Sequence, residues 1–475
     1  MENVFFRMEA RMPPPMHRAS PLMQTPAASA AADGVPLSKE ELLAQDEAEL
    51  FGRLRIPLYP FLALLISTFV MLEIPYSKPE IPQPVMIAIG FFSAVVIIFL
   101  SLESVFFAIL GLVAFIPFSN LLPGTFGRFL IAFNLTNIIT IVICVGWFAR
   151  GALHRLPMLY PNRANWLVFL FMLLAVFSFY RGLITNETAF DFLVRLKRYL
   201  TPIFFYFVFA NNVTNRLQIH YIFAAICAAT FGAGFMGVKE AVIDVGTMGS
   251  WEKMRICGIT AQPNDLAAYF SYYAPLILAM FLQGIRNRWC WLLLVPWWFC
   301  AYATLRTFSR GGVLAFAISA WATVFFWNKK IGMALLLGFF AAVLFFPDML
   351  PESVIGRFRG TVTVKATLDG SDMIRYETSA NQRIGVWTQA WNLIKLRPFM
   401  GVGYGRFMSY VGRDAHNGYL LIAAEMGIPA LLVMLFILWR FFWTARRLSA
   451  SPEPIISLLG LGMSGCIVGV FVANF

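Results

Sequence analysis

Charge is what this chain has least of. Only 13% of its 475 residues are Asp, Glu, Lys or Arg, against 59% hydrophobic. That balance excludes a water-soluble domain and leaves a polytopic membrane protein. Histidine is also scarce, with His17, His154, His220 and His416 as the full set. The six cysteines have no paired or metal-ligand spacing: Cys144, Cys227, Cys290, Cys300 and Cys466 fall inside apolar runs and Cys257 stands alone in a loop. Neither a disulfide framework nor a zinc site is expected. No apolar run precedes residue 55, so a cleavable signal peptide is not expected either.

Apolar runs of about 20 residues recur, each long enough to cross a ~30 Å hydrocarbon core as a helix. Spans are expected at 57–74, 83–101, 104–121, 128–149, 164–181, 199–213, 217–238, 264–284, 289–305, 311–327, 330–347, 417–442 and 454–475. The fold class is therefore all-α, a membrane helical bundle of about thirteen spans. Residues 1–37, with Pro13-Pro14-Pro15 and an Ala-rich patch, read as a disordered cytoplasmic tail. Residues 38–55, with Leu42, Leu43, Leu50 and Leu54 among carboxylates, read as an amphipathic helix on the cytoplasmic surface capped by Ser38. The bundle occupies 56–347, an outer loop domain 348–416, and the C-terminal helices 417–475.

The formal net charge of +12 does not call for nucleic acid, because membrane proteins collect Lys and Arg on cytoplasmic loops. With the N-terminus inside, Arg150, Arg155, Arg163, Arg216, Arg286, Arg288, Lys329, Lys330, Arg440, Arg446 and Arg447 obey that rule. The segment 348–416 then lies outside the cytoplasm. Arg195, Lys197, Arg198, Lys253, Arg255, Arg306, Arg310 and Arg383 break the rule by falling on the outer face. Outer-leaflet headgroups or a phosphorylated ligand would each account for them.

Arg310 opens a spanning helix in Ser309-Arg310-Gly311-Gly312, where two glycines allow close backbone approach. In the outer loop, residues 361–368, with Thr361, Val362, Thr363 and Val364, alternate weakly like a strand or extended segment. Ile384, Trp387, Trp391 and Ile394 recur at helical spacing, so an amphipathic helix is expected over about 380–396, ended by Pro398. Arg383 sits in its first turn, where a helix N-terminus favours an anion. Gly401-Val402-Gly403-Tyr404-Gly405 lacks the strand-turn-helix setting of a dinucleotide loop and reads as a hinge. His416 ends the polar loop, where membrane meets water.

These parts resemble the O-antigen ligase superfamily, which includes O-antigen ligases, some O-antigen and exopolysaccharide polymerases, and bacterial protein O-oligosaccharyltransferases. His416-Asn417, nine residues, then Gly427 resembles the family's His-Asn, nine-spacer, Gly motif. Arg310-Gly-Gly-Val-Leu314 is similar to its Arg, three-spacer, Leu motif, and Pro398 to Gly403 supplies Pro-x-x-Gly-x-Gly. Gln262-Pro263-Asn264-Asp265 also fits, and the likeness covers roughly 255–435. Ala430, where ligases tend to have Gly, Thr or Tyr, departs from the pattern and keeps a polymerase open.

The resemblance implies a bacterial inner-membrane enzyme with a periplasmic site. It would move a glycan from a polyprenyl diphosphate donor to a lipid or glycan acceptor hydroxyl, without metal or other cofactor. Arginines suit the diphosphate because a charged planar fork grips two oxygens at once. Arg310 and Arg383 are the first candidates, with Arg195, Lys197, Arg198 and Arg255 behind them. His416 is the candidate base for the acceptor hydroxyl, supported by Asn417, Asp414 and Gly427. Paired acidic residues in an early outer loop would suit a metal, and that loop offers only Glu80. A flippase of lipid-linked sugars is the rival outside enzymes, but no internal repeat is visible and the cationic groups gather on one face.

Overall fold

The computed structural model describes residues 105–119, 135–154, 158–183, 189–213, 216–244, 255–260, 262–345, 362–366, 372–376 and 378–474. All belong to the unit Tyr59–Phe475. The expected tail, the helix at 38–55, the spans at 57–74 and 83–101, and Glu80 lie outside the described residues.

The helices run in order α1 (Val105–Phe115), α2 (Leu135–His154), α3 (Arg163–Gly182), α4 (Ala189–Asn212), α5 (Arg216–Asp244), α6 (Pro263–Gln283), α7 (Leu294–Arg306), α8 (Arg310–Trp327) and α9 (Lys329–Phe345). A hairpin, β1 (Val362–Ala366) and β2 (Asp372–Tyr376), follows. Then come α10 (Thr378–Leu396), α11 (Phe407–Val411), α12 (Gly418–Met426), α13 (Ile428–Leu448) and α14 (Pro454–Ala473).

Six of these are long and apolar enough to cross a membrane: Arg163–Gly182, Gln218–Ile243, Pro263–Gln283, Arg310–Trp327, Ile428–Leu448 and Pro454–Ala473. The fold is predominantly helical, as expected, but a count of thirteen spans is not reached among the described residues. The expected span at 289–305 is a 3-10 turn, Arg288–Leu293, followed by 13 helical residues, which reach only about 20 Å. The run at 417–442 breaks in two, because Gly427 stands at φ 92° and Pro429 follows. A side chain on Gly427 would strike the carbonyl of Phe399. The expected span at 199–213 starts earlier, at Ala189, so Arg195, Lys197 and Arg198 ride on a helix rather than in the loop before one. In the outer segment, β1 matches the expected extended stretch. Its antiparallel partner, with Val362 opposite Tyr376 and Val364 opposite Ile374, was not foreseen.

The core that positions the N-terminal ends of α6 and α8 is α14, laid antiparallel between them. Small residues make this possible. A side chain on Gly465 would stand 2.9 Å from Pro275 Cβ and overlap Thr323, and one on Gly469 would overlap the carbonyl of Ser271. Between helices in lipid, close van der Waals packing replaces the hydrophobic drive, and small residues permit it. The hydroxyls buried there are satisfied within their own helices: Thr323 Oγ1 donates to the Ser319 carbonyl at 2.8 Å and Ser464 Oγ to Gly460 at 2.7 Å. Since Gly465 meets Thr323 and Gly469 meets Ser319, α14 rises toward the N-termini of α6 and α8. Replacing Gly465 with Leu should force α14 off both neighbours, at a cost of about 1–3 kcal/mol. The expected outcome is a melting temperature several degrees lower in detergent, whereas Gly338→Ala, with open space around it, should melt like the parent.

Candidate functional site

The N-terminus of α8 is built by a tight approach. Ser309 caps it by accepting from the Gly312 N–H at 3.2 Å, and Phe308 just before takes φ 51°. Gly312 packs so closely on Ala267 of α6 that any side chain there would collide with it. Arg310, half-buried, thus begins α8 beside the first turns of α6. Residues 255–260 close over this junction. Arg255 donates from Nε to the Thr307 carbonyl at 3.0 Å and from Nη2 to Asn264 Oδ1 at 3.1 Å. The Glu240 carboxylate accepts the N–H groups of Cys257 and Gly258. Arg255 therefore spends two donors tying the α8 entrance to α6.

The His416 segment docks on the opposite partner, the end of α14. Gly418 N–H donates to the Asn474 carbonyl at 2.9 Å, and the Tyr419 hydroxyl donates to the Phe471 carbonyl at 2.6 Å. Because α14 ends where α6 and α8 begin, His416 and Arg310 lie at one end of the bundle. Asn417, buried, is the N-cap of α12: its Oδ1 accepts from Tyr419 and Leu420 N–H at 3.1 and 3.0 Å. Ala415 is fully buried, and its carbonyl accepts the Trp387 indole N–H at 2.9 Å. Between these two anchored neighbours His416 is exposed at φ 49°, a conformation uncommon for non-glycine residues that the surroundings must hold in place.

Trp387 lies on α10, one turn beyond Arg383, so the same hydrogen bond carries the Arg383 turn to the His416 segment. The stripe of α10 that packs on α12 is Val386, Ala390 and Ile394, against Phe407, Ala415, Ala423 and Ala424. Of the four apolar positions expected on one face of the helix, Ile394 joins this stripe, while Ile384 and Trp391 are exposed within the protein. Arg383 is exposed.

The three-glycine segment is no hinge. Gly401, Gly403 and Gly405 all take positive φ (61°, 101° and 72°), and the backbone between them is bonded on both sides. Val402 and Gly403 N–H donate to the carbonyls of Ala424 and Glu425 at 2.8 and 2.9 Å, while Tyr404 N–H donates to Ser178 of α3 at 3.1 Å. Arg406 Nε donates to the Gly182 carbonyl at 2.9 Å. The Tyr404 ring stacks on Phe179, with centroids 3.9 Å apart. Beneath the loop, Glu425 is only 5% exposed, and its carboxylate accepts from Phe407 N–H at 3.0 Å and from Gly405 N–H. Glu425 lies outside the six long apolar helices. Burial pushes its carboxyl above the usual range; the two N–H donors and Arg195 oppose that, and Asp414 adds to it.

The cluster on α4 divides. Arg195 turns to the loop, its Nη1 lying 2.9 Å from where a Gly405 side chain would begin. Lys197 hydrogen-bonds Asn137 of α2, and Arg198 is exposed. Asp414 is exposed beside the loop. An apolar groove of about 640 Å³ runs between α13 and α14, lined among others by Leu432, Phe436, Trp439 and Phe471. Its upper end meets Tyr419, whose ring lies 5.5 Å from that of Phe471.

Sequence reasoning missed Glu425, which stood as one polar residue in an apolar run, and Asn474, which docks Gly418. An ionisable residue inside such a run was itself a signal. Among the described residues, no three His, Cys, Asp or Glu side chains gather as a metal site.

A comparison with protein-family models matches residues 295–435 to O-antigen ligase. No curated protein matches the chain. The matched segment runs from α7 into α13 and contains Arg310, Arg383, Glu425 and His416. Residues 295–435 are thus similar to the O-antigen ligase family, in line with the motifs they carry.

Proposed function

We propose that this protein transfers a glycan from a polyprenyl diphosphate carrier to an acceptor hydroxyl at the periplasmic face of a bacterial inner membrane. The N-terminus would be cytoplasmic and the segment 348–416 periplasmic. The observation that carries the proposal is the Trp387 to Ala415 hydrogen bond. It ties the helix bearing Arg383 to the strained backbone presenting His416, and α14 sets both at the end of the bundle where Arg310 begins α8.

In the reaction, the acceptor oxygen attacks the anomeric carbon while the bond from that carbon to the diphosphate oxygen breaks. Negative charge accumulates on the departing lipid diphosphate. Arg310 and Arg383 favour the transition state because they face charge that is greater there than in the bound donor. Arg310 adds its charge to that of a helix N-terminus. Arg195 and Arg198 flank the same loop cluster and form a second rank. Lys197, bonded to Asn137, and Arg255, tied to Thr307 and Asn264, hold the surroundings. His416 takes the proton of the acceptor hydroxyl as the new bond forms. The groove between α13 and α14 supplies an apolar surface adjoining Tyr419 for part of a lipid tail. Ala430 keeps open a polymerase that uses the same donor site with a second lipid-linked sugar as acceptor.

Purified protein incubated with a defined polyprenyl diphosphate donor and candidate acceptors tests this reading. A ligase should place glycan on a new acceptor, and a polymerase should give a ladder still on polyprenyl diphosphate. His416→Ala and Arg310→Ala should express and insert normally yet lose about 10²–10³-fold or more in transfer rate, with lipid-linked precursor accumulating in cells. Normal product chains in both variants would remove the assignment. Trp387→Phe removes one hydrogen bond of about 1 kcal/mol. It should cut transfer severalfold and speed hydrogen exchange over residues 412–418; unchanged exchange would separate Trp387 from the site.

A further inference from the structure

We propose that Glu425 is a positioning residue that fixes Arg195 toward the donor diphosphate by locking the Gly401 to Phe407 loop against it. The inference rests on the function proposed above and deepens its account of that site.

A buried carboxylate at this place has a specific use. The loop from Gly401 to Phe407 contains three residues with positive φ, so it cannot satisfy its own backbone as a helix or strand would. Its N–H groups at Gly405 and Phe407 converge on one side chain, that of Glu425. One carboxylate can accept both, whereas a carboxamide offers a single oxygen and an NH₂ that would oppose a donor. Glu425 also contributes through its own backbone: its carbonyl accepts Gly403 N–H at 2.9 Å and Ser178 Oγ at 3.0 Å. Glu425 therefore holds the loop on α12 at two points, beside the Val402 to Ala424 bond.

Arg195 lies on the far side of that loop. Its Nη1 stands 2.9 Å from the point where any side chain on Gly405 would begin, so only glycine lets the guanidinium rest against the backbone there. Tyr199, one turn further along α4, packs its ring 4.8 Å from Tyr404 and bonds Met426 at 3.4 Å, which fixes the helix face that carries Arg195. The negative charge of Glu425 faces the same guanidinium through the loop and acts on it electrostatically. Other charged groups at this place are Asp414, exposed, Arg198, exposed and acting on Tyr404, and Arg406, which donates to the Gly182 carbonyl. Arg195 is thus aligned by a loop whose Gly405 and Phe407 N–H groups the Glu425 side chain holds. A cation held in this way loses little freedom when it binds an anion, so it binds more tightly than a mobile one.

The test uses the full chain in detergent or nanodiscs with Glu425→Gln, Glu425→Ala, Arg195→Ala and the double variant Arg195→Ala/Glu425→Gln. Melting temperature, kcat, and KM for donor and acceptor are measured for each, together with direct binding of geranylgeranyl diphosphate. Glu425→Ala should melt lowest. Glu425→Gln should remain folded, with donor KM raised about tenfold, the loss of one charge-assisted contact, and acceptor KM unchanged. Arg195→Ala should show the same pattern, and the double variant should be no worse than the poorer single one. A merely structural Glu425 would instead lower the folded fraction and kcat without separating the two KM values. That result, or multiplicative effects in the double variant, overturns the proposal. If no transfer is seen but Glu425→Gln still weakens geranylgeranyl diphosphate binding, the functional reading fails and the positioning role stands. Binding equal to that of the parent protein overturns the positioning role.

Discussion

Irregular backbone beside a bilayer must find its hydrogen-bond partners within the protein, because lipid offers none. Most of what is unusual at the end of the bundle that carries His416 answers that requirement. The chain from Pro398 to Phe407 leaves helical geometry, and its N–H groups go to Ala424, Glu425 and Ser178, with Arg406 reaching Gly182. The price is a buried carboxylate at Glu425 and three glycines in left-handed conformations. The return is a rigid bed on which the ends of α3, α4, α10 and α12 meet.

The same economy governs the two motifs that carry the superfamily likeness. Arg310 begins α8 where Gly312 lets that helix touch α6, and His416 stands between a buried alanine carbonyl bonded to Trp387 and a buried asparagine cap. Both residues stand on backbone that anchored neighbours hold in place, Arg310 at a capped helix start and His416 between two buried residues. The matched segment, 295–435, takes in both motifs and the loop between them.

Much of this was legible in the residues. Helices at 163–182, 263–283, 310–327 and 454–473 followed from apolar run length, and α10 from the spacing of Trp387 and Ile394 with Pro398 as its stop. His416 and Arg310 could be singled out because a polar residue at the edge of an apolar run is costly and rarely idle. What the residues hid was mostly non-local. Hydropathy cannot tell a continuous span from one broken at Gly427, because the apolar count is unchanged while the backbone turns. It put Ile384, Trp387, Trp391 and Ile394 on one apolar face, and only the partner elements decide that Val386, Ala390 and Ile394 form the packed stripe. It read Gly401 to Gly405 as a hinge, because glycine signals freedom in isolation and only Ser178 and Glu425, far away in the chain, remove that freedom. It divided Arg195, Lys197 and Arg198 from α4, because those three cations interrupt the apolar run that Ala189 to Val194 begins.

The join between Ser178 and Glu425 also bears on how the molecule is made. Those two residues are 247 positions apart. At a synthesis rate of roughly 5–20 residues per second, α3 leaves the ribosome on the order of ten to fifty seconds before the carbonyl it must hold exists. Through that interval the exposed end of α3 has to stay in the membrane with its polar groups uncommitted. Assembly of this end of the bundle is therefore tied to arrival of the final helices, and slow translation or a delayed insertion of α13 would prolong the stage most open to mispairing and degradation.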